Sequence, residues 1–404
     1  MVTEQVTHGS PRRLPPKRPP IRLTNLWHSV GFRSWAYQAL VVAVVIGMAA
    51  YMVGNAQDAL QKRGISTGFG FLFEEAGFDI GETLLAFRST DTFLRAYGVA
   101  VLNTLKVSIF GIVFATLLGV VIGIARLSGN VLIAGLSSAY VELFRNTPQL
   151  VQIIFWYTII TQLPPPRQAL NLLDAAFLTN RGLILPWPDA DPAYLWTVIA
   201  FLSACILAIL LVRWADAVRR QSGRRLPVLW WNLALILGLP TAVWVIGGAP
   251  TTLSLPELKG FNFVGGVALS PEFLALLLGL SLYIAAFIAE IVRSGIQSVG
   301  KGQIEASRAV CLRPTDSYRK VILPQALRVI VPPAAAQYVS LVKNSSLGVA
   351  IGYPELFNVN NTIVTLSGHT VEAIAMMMVI YLSIAFAISA VMNLYNRAVQ
   401  IKER

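Results

Sequence analysis

The chain has 404 residues, of which 55% are hydrophobic and only 13% charged, with a mean hydropathy of +0.63. A soluble domain carries about 25% charged residues. Long uncharged runs alternating with short basic segments therefore exclude a soluble enzyme, a fibrous repeat and a disordered chain, and point to a polytopic membrane protein. The 32 basic residues exceed the 20 acidic ones, for a formal charge of +12; because they alternate by loop and do not cluster, they read as a topology signal and not as a nucleic-acid surface.

In chain order, residues 1–34 form a basic, Pro-rich tail, with PRRLPPKRPP at 11–20. It cannot be helical and is expected to be a disordered cytoplasmic arm. Eight apolar runs follow, at 35–53, 97–125, 148–163, 195–212, 228–247, 272–292, 335–352 and 372–394. Each is predicted to be a transmembrane helix. The first begins late and is longer than a usual signal core, so it reads as an uncleaved anchor. The stretch 131–142 is helical in pattern but too short to span alone. No internal repeat of fixed period is present.

Lys and Arg test the orientation. With the N-terminus inside, the cytoplasmic segments hold 22 of them; the opposite side holds Lys62, Arg63, Arg88, Arg95, Arg167, Arg181 and Lys259, which is 7. That split places both termini in the cytoplasm. The two cysteines, Cys205 and Cys311, cannot build a disulfide framework or a metal cluster, so no metal site is expected.

Function in such a chain should sit where charge or irregular backbone persists against its cost. In VELFRNTPQLVQ, Glu142 and Arg145 are spaced i, i+3 and can pair on a helix, and Pro148 interrupts the pattern; an ordinary loop and N-cap between apolar helices reads equally well. Glu290 and Arg293 repeat the spacing near a span edge, where a snorkelling end-of-helix pair is the plain reading. The segment 294–334 is long and ordered in pattern. Gly300-Lys301-Gly302 breaks the preceding helix, 303–312 forms a short helix stopped by Pro314, and a second helical stretch, 317–323, meets Pro324. Such a loop suggests a docking surface. Lys343-Asn344-Ser345-Ser346 in the seventh run, and Asn103 and Lys106 in the second, should face the bundle or a water-filled path.

These motifs together resemble a known family. Gly302-Gln303-Ile304-Glu305-Ala306-Ser307-Arg308-Ala309 is similar to the EAA loop of binding-protein-dependent ABC importer permeases. The following YRKVILPQALR at 318–328 and Val331-Pro332-Pro333 resemble the polar amino acid branch, as do ELFRNTP at 142–148, the helix from Tyr283 to Ile296, and Lys343-Asn344-Ser345-Ser346-Leu347. Two departures stand out: Cys311 replaces the family Gly after the docking helix, and Ser307 replaces the second Ala. The enlarged layout resembles one of the two permeases of bacterial general L-amino acid importers.

The resemblance implies an all-α polytopic membrane protein with a type I ABC importer permease core of about five helices. Its first part would be 97–163 and its second 272–396, with an inserted pair of helices at 195–247 and an extra helix at 35–53. The function implied is that of the permease in an ATP-driven importer carrying L-amino acids, of broad polar range, across the bacterial inner membrane. Implied partners are a second permease subunit in a heterodimer, two cytoplasmic ATPase subunits, a periplasmic amino-acid-binding protein and lipid. ATP and Mg would sit on the ATPase and no cofactor on this chain, which lacks the phosphate-binding G-x-x-x-x-G-K-[ST] loop. Gln303, Glu305, Ala306, Ser307, Arg308 and Ala309 would dock the ATPase. Asn103, Lys343, Asn344 and Ser345 would line the path, with Glu142–Arg145 and Glu290–Arg293 as structural ion pairs. Breaks at Pro324 and Pro332-Pro333 would pass motion on as rigid pieces. A secondary transporter or channel is the alternative; it requires mid-membrane coupling carboxylates or inverted repeats. A membrane-embedded enzyme lacks a motif, since His369 stands alone in a loop near Glu372.

Overall fold

Thr92, Asn130, Asp191 and Ser270 each precede an apolar run, and each side chain accepts a backbone N–H of the helix that follows, so polar caps set the starts of four helices. The computed structural model describes residues 30–62, 68–172, 175–223 and 227–399. The tail 1–29, with its Pro-rich segment, lies outside the described residues, as do Arg63, Arg224, Arg225, Lys402 and Arg404. The chain divides into two compact units, Met1–Gly68 and Phe69–Arg404.

The first unit holds α1 (Val30–Lys62), whose apolar stretch Gly31–Met52 buries nothing. In the second unit, α2 (Phe93–Ala125), α3 (Val131–Asn146) and α4 (Gln149–Thr161) are followed by α5 (Pro192–Ser222) and α6 (Val228–Ile246). Then come α7 (Pro271–Gln297), α8 (Lys301–Ala309), α9 (Pro314–Ser317), α10 (Leu323–Asn344), α11 (Leu356–Ser367) and α12 (Thr370–Val399).

Among the described residues six helices are long and apolar enough to cross a bilayer: Gly31–Met52, Phe93–Ala125, Pro192–Arg219, Val228–Ile246, Pro271–Gln297 and Thr370–Asn396. Two of the eight expected runs take another form. The run at 148–163 is α4, only 13 residues long. The run at 335–352 is no helix of its own: it is the second half of α10, and at Ser345–Ile351 the chain tightens into a 3₁₀ segment that ends in left-handed Gly352. Polar Lys343 to Ser346 and two glycines halt the α geometry there.

The core forms where α2 lies along α7, which also packs against α3, α4 and α10. The approach of α2 to α7 requires glycine. A Cβ on Gly119 would stand 2.7 Å from the Ile288 Cβ, and one on Gly123 would stand 2.7 Å from the Ala289 carbonyl oxygen. Val107, Ala115, Ile153, Leu276, Leu280 and Leu341 fill the surrounding core.

Between α4 and α7 the chain forms short strands that the all-α expectation omits. Strands β1 (Leu170–Asn171), β2 (Phe177–Thr179), β3 (Gly182–Leu185) and β8 (Val267–Leu269) make one antiparallel sheet in that order. β4 (Trp187–Pro188) pairs with β5 (Leu253–Ser254), and β6 (Glu257–Lys259) with β7 (Asn262–Val264). Strands of two to four residues show no alternation long enough to register in a sequence. They matter because β3–β8 and β4–β5 clamp the chain where it leaves for the α5–α6 pair and where it returns.

The expected breaks at Pro324 and Pro332-Pro333 are absent. From Pro314 the chain stays helical to Asn344, through a π turn at Tyr318–Ile322. The Leu323 N–H bonds the Tyr318 carbonyl in that wider turn. Pro324, directly after that wider turn, has no N–H to continue the ladder, and the run stays helical past it.

Candidate functional site

At one end of the bundle the chain leaves α7, turns at Gly300 and forms α8. Gln303, Glu305, Ala306, Arg308 and Ala309 are exposed on this helix, as is Val310 just beyond it. Ser307 is 3% exposed and faces the other way. Its Oγ donates to the Ile304 carbonyl at 2.7 Å and lies 2.6 Å from the Ser317 Oγ. Ile304 packs on buried Val299, Ile322 and Ala326. Ser307 thus holds the helix to the chain behind it and is not part of the exposed face, contrary to the docking role expected for it. Cys311 adopts φ +56°, the left-handed turn that the family Gly would supply, and the helix still closes: the Cys311 N–H bonds the Arg308 carbonyl at 2.9 Å and the Leu312 N–H that of Ser307 at 3.1 Å.

One step into the bundle, Glu290 sits between two guanidinium groups. Arg293 donates to it at 2.5 and 3.3 Å, and Arg126, at the end of α2, donates to its Oε2. Arg126 also reaches the Ser138 Oγ at 3.2 Å, and Arg293 the Gln297 Oε1 at 2.8 Å. This node ties α2, α3 and α7. The Glu142–Arg145 pair does not form. The Tyr140 hydroxyl donates to the Leu282 carbonyl at 2.8 Å, which seats α3 so that Arg145 stacks over the Phe287 ring at 5.1 Å, while Glu142 points outward, exposed.

At the opposite end of α2, Lys106 pairs with Glu82, which also accepts from the Ser270 hydroxyl, and the Lys106 Nζ lies 4.3 Å over the Phe273 ring. Asn103 is fully buried, its Nδ2 bonding the carbonyls of Glu82 at 2.8 Å and Pro354 at 3.0 Å. Ser345 is fully buried as well and bonds the Val342 carbonyl at 2.7 Å. Asn103 thus ties distant parts of the chain and Ser345 bonds back within its own turn, so in this structure neither lines an open path. The other two expected path residues differ. Asn344 is half-buried and donates to the Gln149 Oε1 at 2.7 Å, joining the C-terminus of α10 to the N-terminus of α4. Lys343 is exposed and borders a cavity of about 630 Å³ with Ser346, Phe357, Met377, Met378 and Tyr381.

Buried Glu355 caps α11. It accepts the N–H groups of Phe357 at 2.9 Å and Asn358 at 2.8 Å and the Tyr381 hydroxyl at 2.7 Å. Burial pushes its carboxyl up to about 7, against the opposing pull of those hydrogen bonds. Arg126, Glu82, Glu355 and Gln149 were not singled out from the sequence. For Glu355 a usable signal existed: a carboxylate after Pro354, directly before a helical run.

A bundle of apolar helices with polar seams inside and a short exposed helix at one end defines a multi-pass membrane protein. The chain belongs to the family described as binding-protein-dependent transport system inner membrane component, whose pattern matches residues 111–402. It is similar to the putative amino-acid ABC transporter permease protein YhdX of Escherichia coli, at 45% identity over 376 residues, covering 92% of this chain and 95% of the relative. It is also similar to the general L-amino acid transport system permease protein AapQ of Rhizobium johnstonii, at 43% over 374 residues (92% and 94%). A third relative is the glutamate/glutamine/aspartate/asparagine transport system permease protein BztB of Rhodobacter capsulatus, at 38% over 422 residues (96% and 99%). The chain is thus a transport subunit and not an enzyme; ATP hydrolysis belongs to a separate subunit.

Proposed function

We propose that this chain is the permease subunit of an ATP-driven importer that moves L-amino acids of broad polar range from a periplasmic binding protein into the cytoplasm. It works beside a second, different permease, with both termini in the cytoplasm and with ATP and Mg held by two cytoplasmic ATPase subunits. The observation that carries this reading is α8: a helix exposed along one side through Glu305, Ala306, Ala309 and Val310 and pinned from behind through Ser307 and Ile304. Small residues beside Glu305 suit close approach to a groove on the ATPase. Closure of the ATPase subunits on nucleotide then pushes α8, and the continuous helical run from Pro314 to Asn344 passes the push to the Asn344–Gln149 contact.

Along the path, a zwitterionic amino acid needs a donor for its carboxylate and acceptors for its ammonium group. Lys343 is the exposed cation beside the cavity that Tyr381 and Ser346 also border, and Asn344 stands one residue further at the junction of two helix ends, where substrate groups are commonly held. The family match and the three relatives named above support the importer reading over a secondary transporter or channel.

The test is to express the chain with its genomic neighbours, purify through a tag on this subunit, and add binding protein loaded with amino acid. Co-purification of an ATPase whose hydrolysis the loaded binding protein stimulates supports the reading. A folded chain that emerges alone, with no ATPase encoded nearby, overturns it.

A further inference from the structure

The α5–α6 pair takes no part in the site described above. On α5, Ala193, Ala200, Ala204, Ala208 and Ala215 are buried, at spacings of seven, four, four and seven that make one stripe of a helix. The helix packs on α6, and at the base of the pair a Cβ on Gly247 would stand 2.6 Å from that of Ala193. Helices meet in bilayers through such small residues. The stripe is therefore already occupied within the hairpin. What remains outward is large and apolar: Leu195, Leu202, Ile206 and Leu210 on α5, and Leu229 and Leu237 on α6, are all exposed.

The aromatic residues say what covers that surface. Trp196 and Trp214 are 59% and 54% exposed, and their separation along α5 is about 27 Å at 1.5 Å per residue. That matches a hydrocarbon core of about 30 Å, with tryptophans at both boundaries. Trp230 and Trp231 open α6 near the end marked by Trp214, and both are exposed. Arg213 and Arg219 lie in the last turns of α5, exposed, with the exposed carboxylate of Asp216 between them in sequence. The base of the hairpin is clamped by β3–β8 and β4–β5, next to the start of α7. One crossing each by α5 and α7 therefore puts Arg213 and Arg219 on the side of α8.

We propose that the α5–α6 hairpin is a lipid-seated arm whose Arg213–Arg219 end binds the phosphate of anionic phospholipid headgroups. The bound leaflet is the one on the α8 side. This rests on the membrane and permease reading above. A guanidinium presents paired N–H groups to phosphate oxygens, and the neighbouring tryptophans hold the helix at the depth where those oxygens lie.

The experiment uses the assembled importer in lipid nanodiscs containing a small, equal fraction of brominated phosphatidylglycerol or brominated phosphatidylcholine, with tryptophan fluorescence as readout. The signal of the hairpin is the part lost on replacing Trp214, Trp230 and Trp231 by Phe. Its quenching should correspond to roughly fivefold enrichment of the anionic lipid, as one basic residue near a membrane surface supplies. Arg213→Gln with Arg219→Gln should abolish the preference, and the two Lys replacements should keep it in part. Equal quenching by the two lipids, or none by either because protein covers the hairpin, overturns the proposal. ATP hydrolysis measured on the same discs separates the two readings: hydrolysis stimulated by binding protein without a lipid preference counts against the arm alone.

Discussion

The Ser307 Oγ lies 2.6 Å from the Ser317 Oγ, across the turn that Cys311 closes. The exposed helix α8 is therefore held by its inner side and leaves its outer side open. The two sides should respond differently to mutation. Ser307→Ala strands a buried Ser317 hydroxyl and should lower stability by about 1–2 kcal/mol, read by thermal unfolding of the purified chain. Glu305→Lys, on the exposed side, should move stability by less than about 0.5 kcal/mol and leave membrane insertion intact, yet detach or uncouple the ATPase. Wild-type ATPase recovery and transport in Glu305→Lys would remove Glu305 from the docking surface.

Glu290 answers to two arginines, and this changes what charge reversal should do. For an isolated i, i+3 pair, Glu290→Arg with Arg293→Glu would restore stability. Here Arg126 also donates to Glu290, so the exchanged pair leaves Arg126 facing a new arginine, and rescue should be incomplete. Glu290→Gln alone should cost about 2 kcal/mol, because it leaves two largely covered guanidiniums without their counter-charge. Full rescue by the double exchange, measured as recovery of the unfolding temperature, would show that Arg126 contributes nothing.

Cys311 sits at φ +56°, a conformation that costs an L-residue about 1–2 kcal/mol. Cys311→Gly removes that strain but frees the unfolded chain, for a net gain of about 0.5–1 kcal/mol. Cys311→Val should lose stability, since a branched Cβ is least tolerant of the left-handed turn. The order Gly above Cys above Val in thermal unfolding checks the assignment.

Glu355 supplies a pH dependence of known sign. Its carboxyl is raised from 4.5 to about 7 by burial, so between those values the folded chain keeps a proton that the unfolded chain has released. Stability should fall as pH rises through this window, by up to about 1.4 kcal/mol per pH unit from this group, and level off above it. Unfolding of Glu355→Gln should show a flatter profile over the same range. An unchanged slope would place the pH dependence elsewhere.

Local signals made part of the site legible. Gly300-Lys301-Gly302 and Pro314 bracket α8, and the i, i+3 spacing of Glu290 and Arg293 describes a contact that one helix makes with itself. Arg126 carries no such signal, because its partner lies 164 positions away and no periodicity encodes that distance. Glu142 and Arg145 have the same spacing as the pair that forms, but the packing of α3 on α7 gives Arg145 an aromatic face instead. Likewise Asn103 and Ser345 are polar residues in apolar runs; whether such a side chain faces a path or a neighbouring carbonyl depends on helix rotation, which the sequence does not state. The proline rule failed at Pro324, which follows a π turn closed by the Leu323 N–H on the Tyr318 carbonyl without ending the helical run.

The unbroken course of α10 through Pro332 and Pro333 has a mechanical consequence. Twenty-two residues at 1.5 Å each make an arm of about 33 Å. A tilt of about 10° at the α8 end then swings the Asn344 end by about 6 Å, roughly the width of an amino-acid backbone. A hinge at either proline, each of which withholds one helix hydrogen bond, would dissipate that swing; an arm that stays straight would carry it to the depth of Lys343.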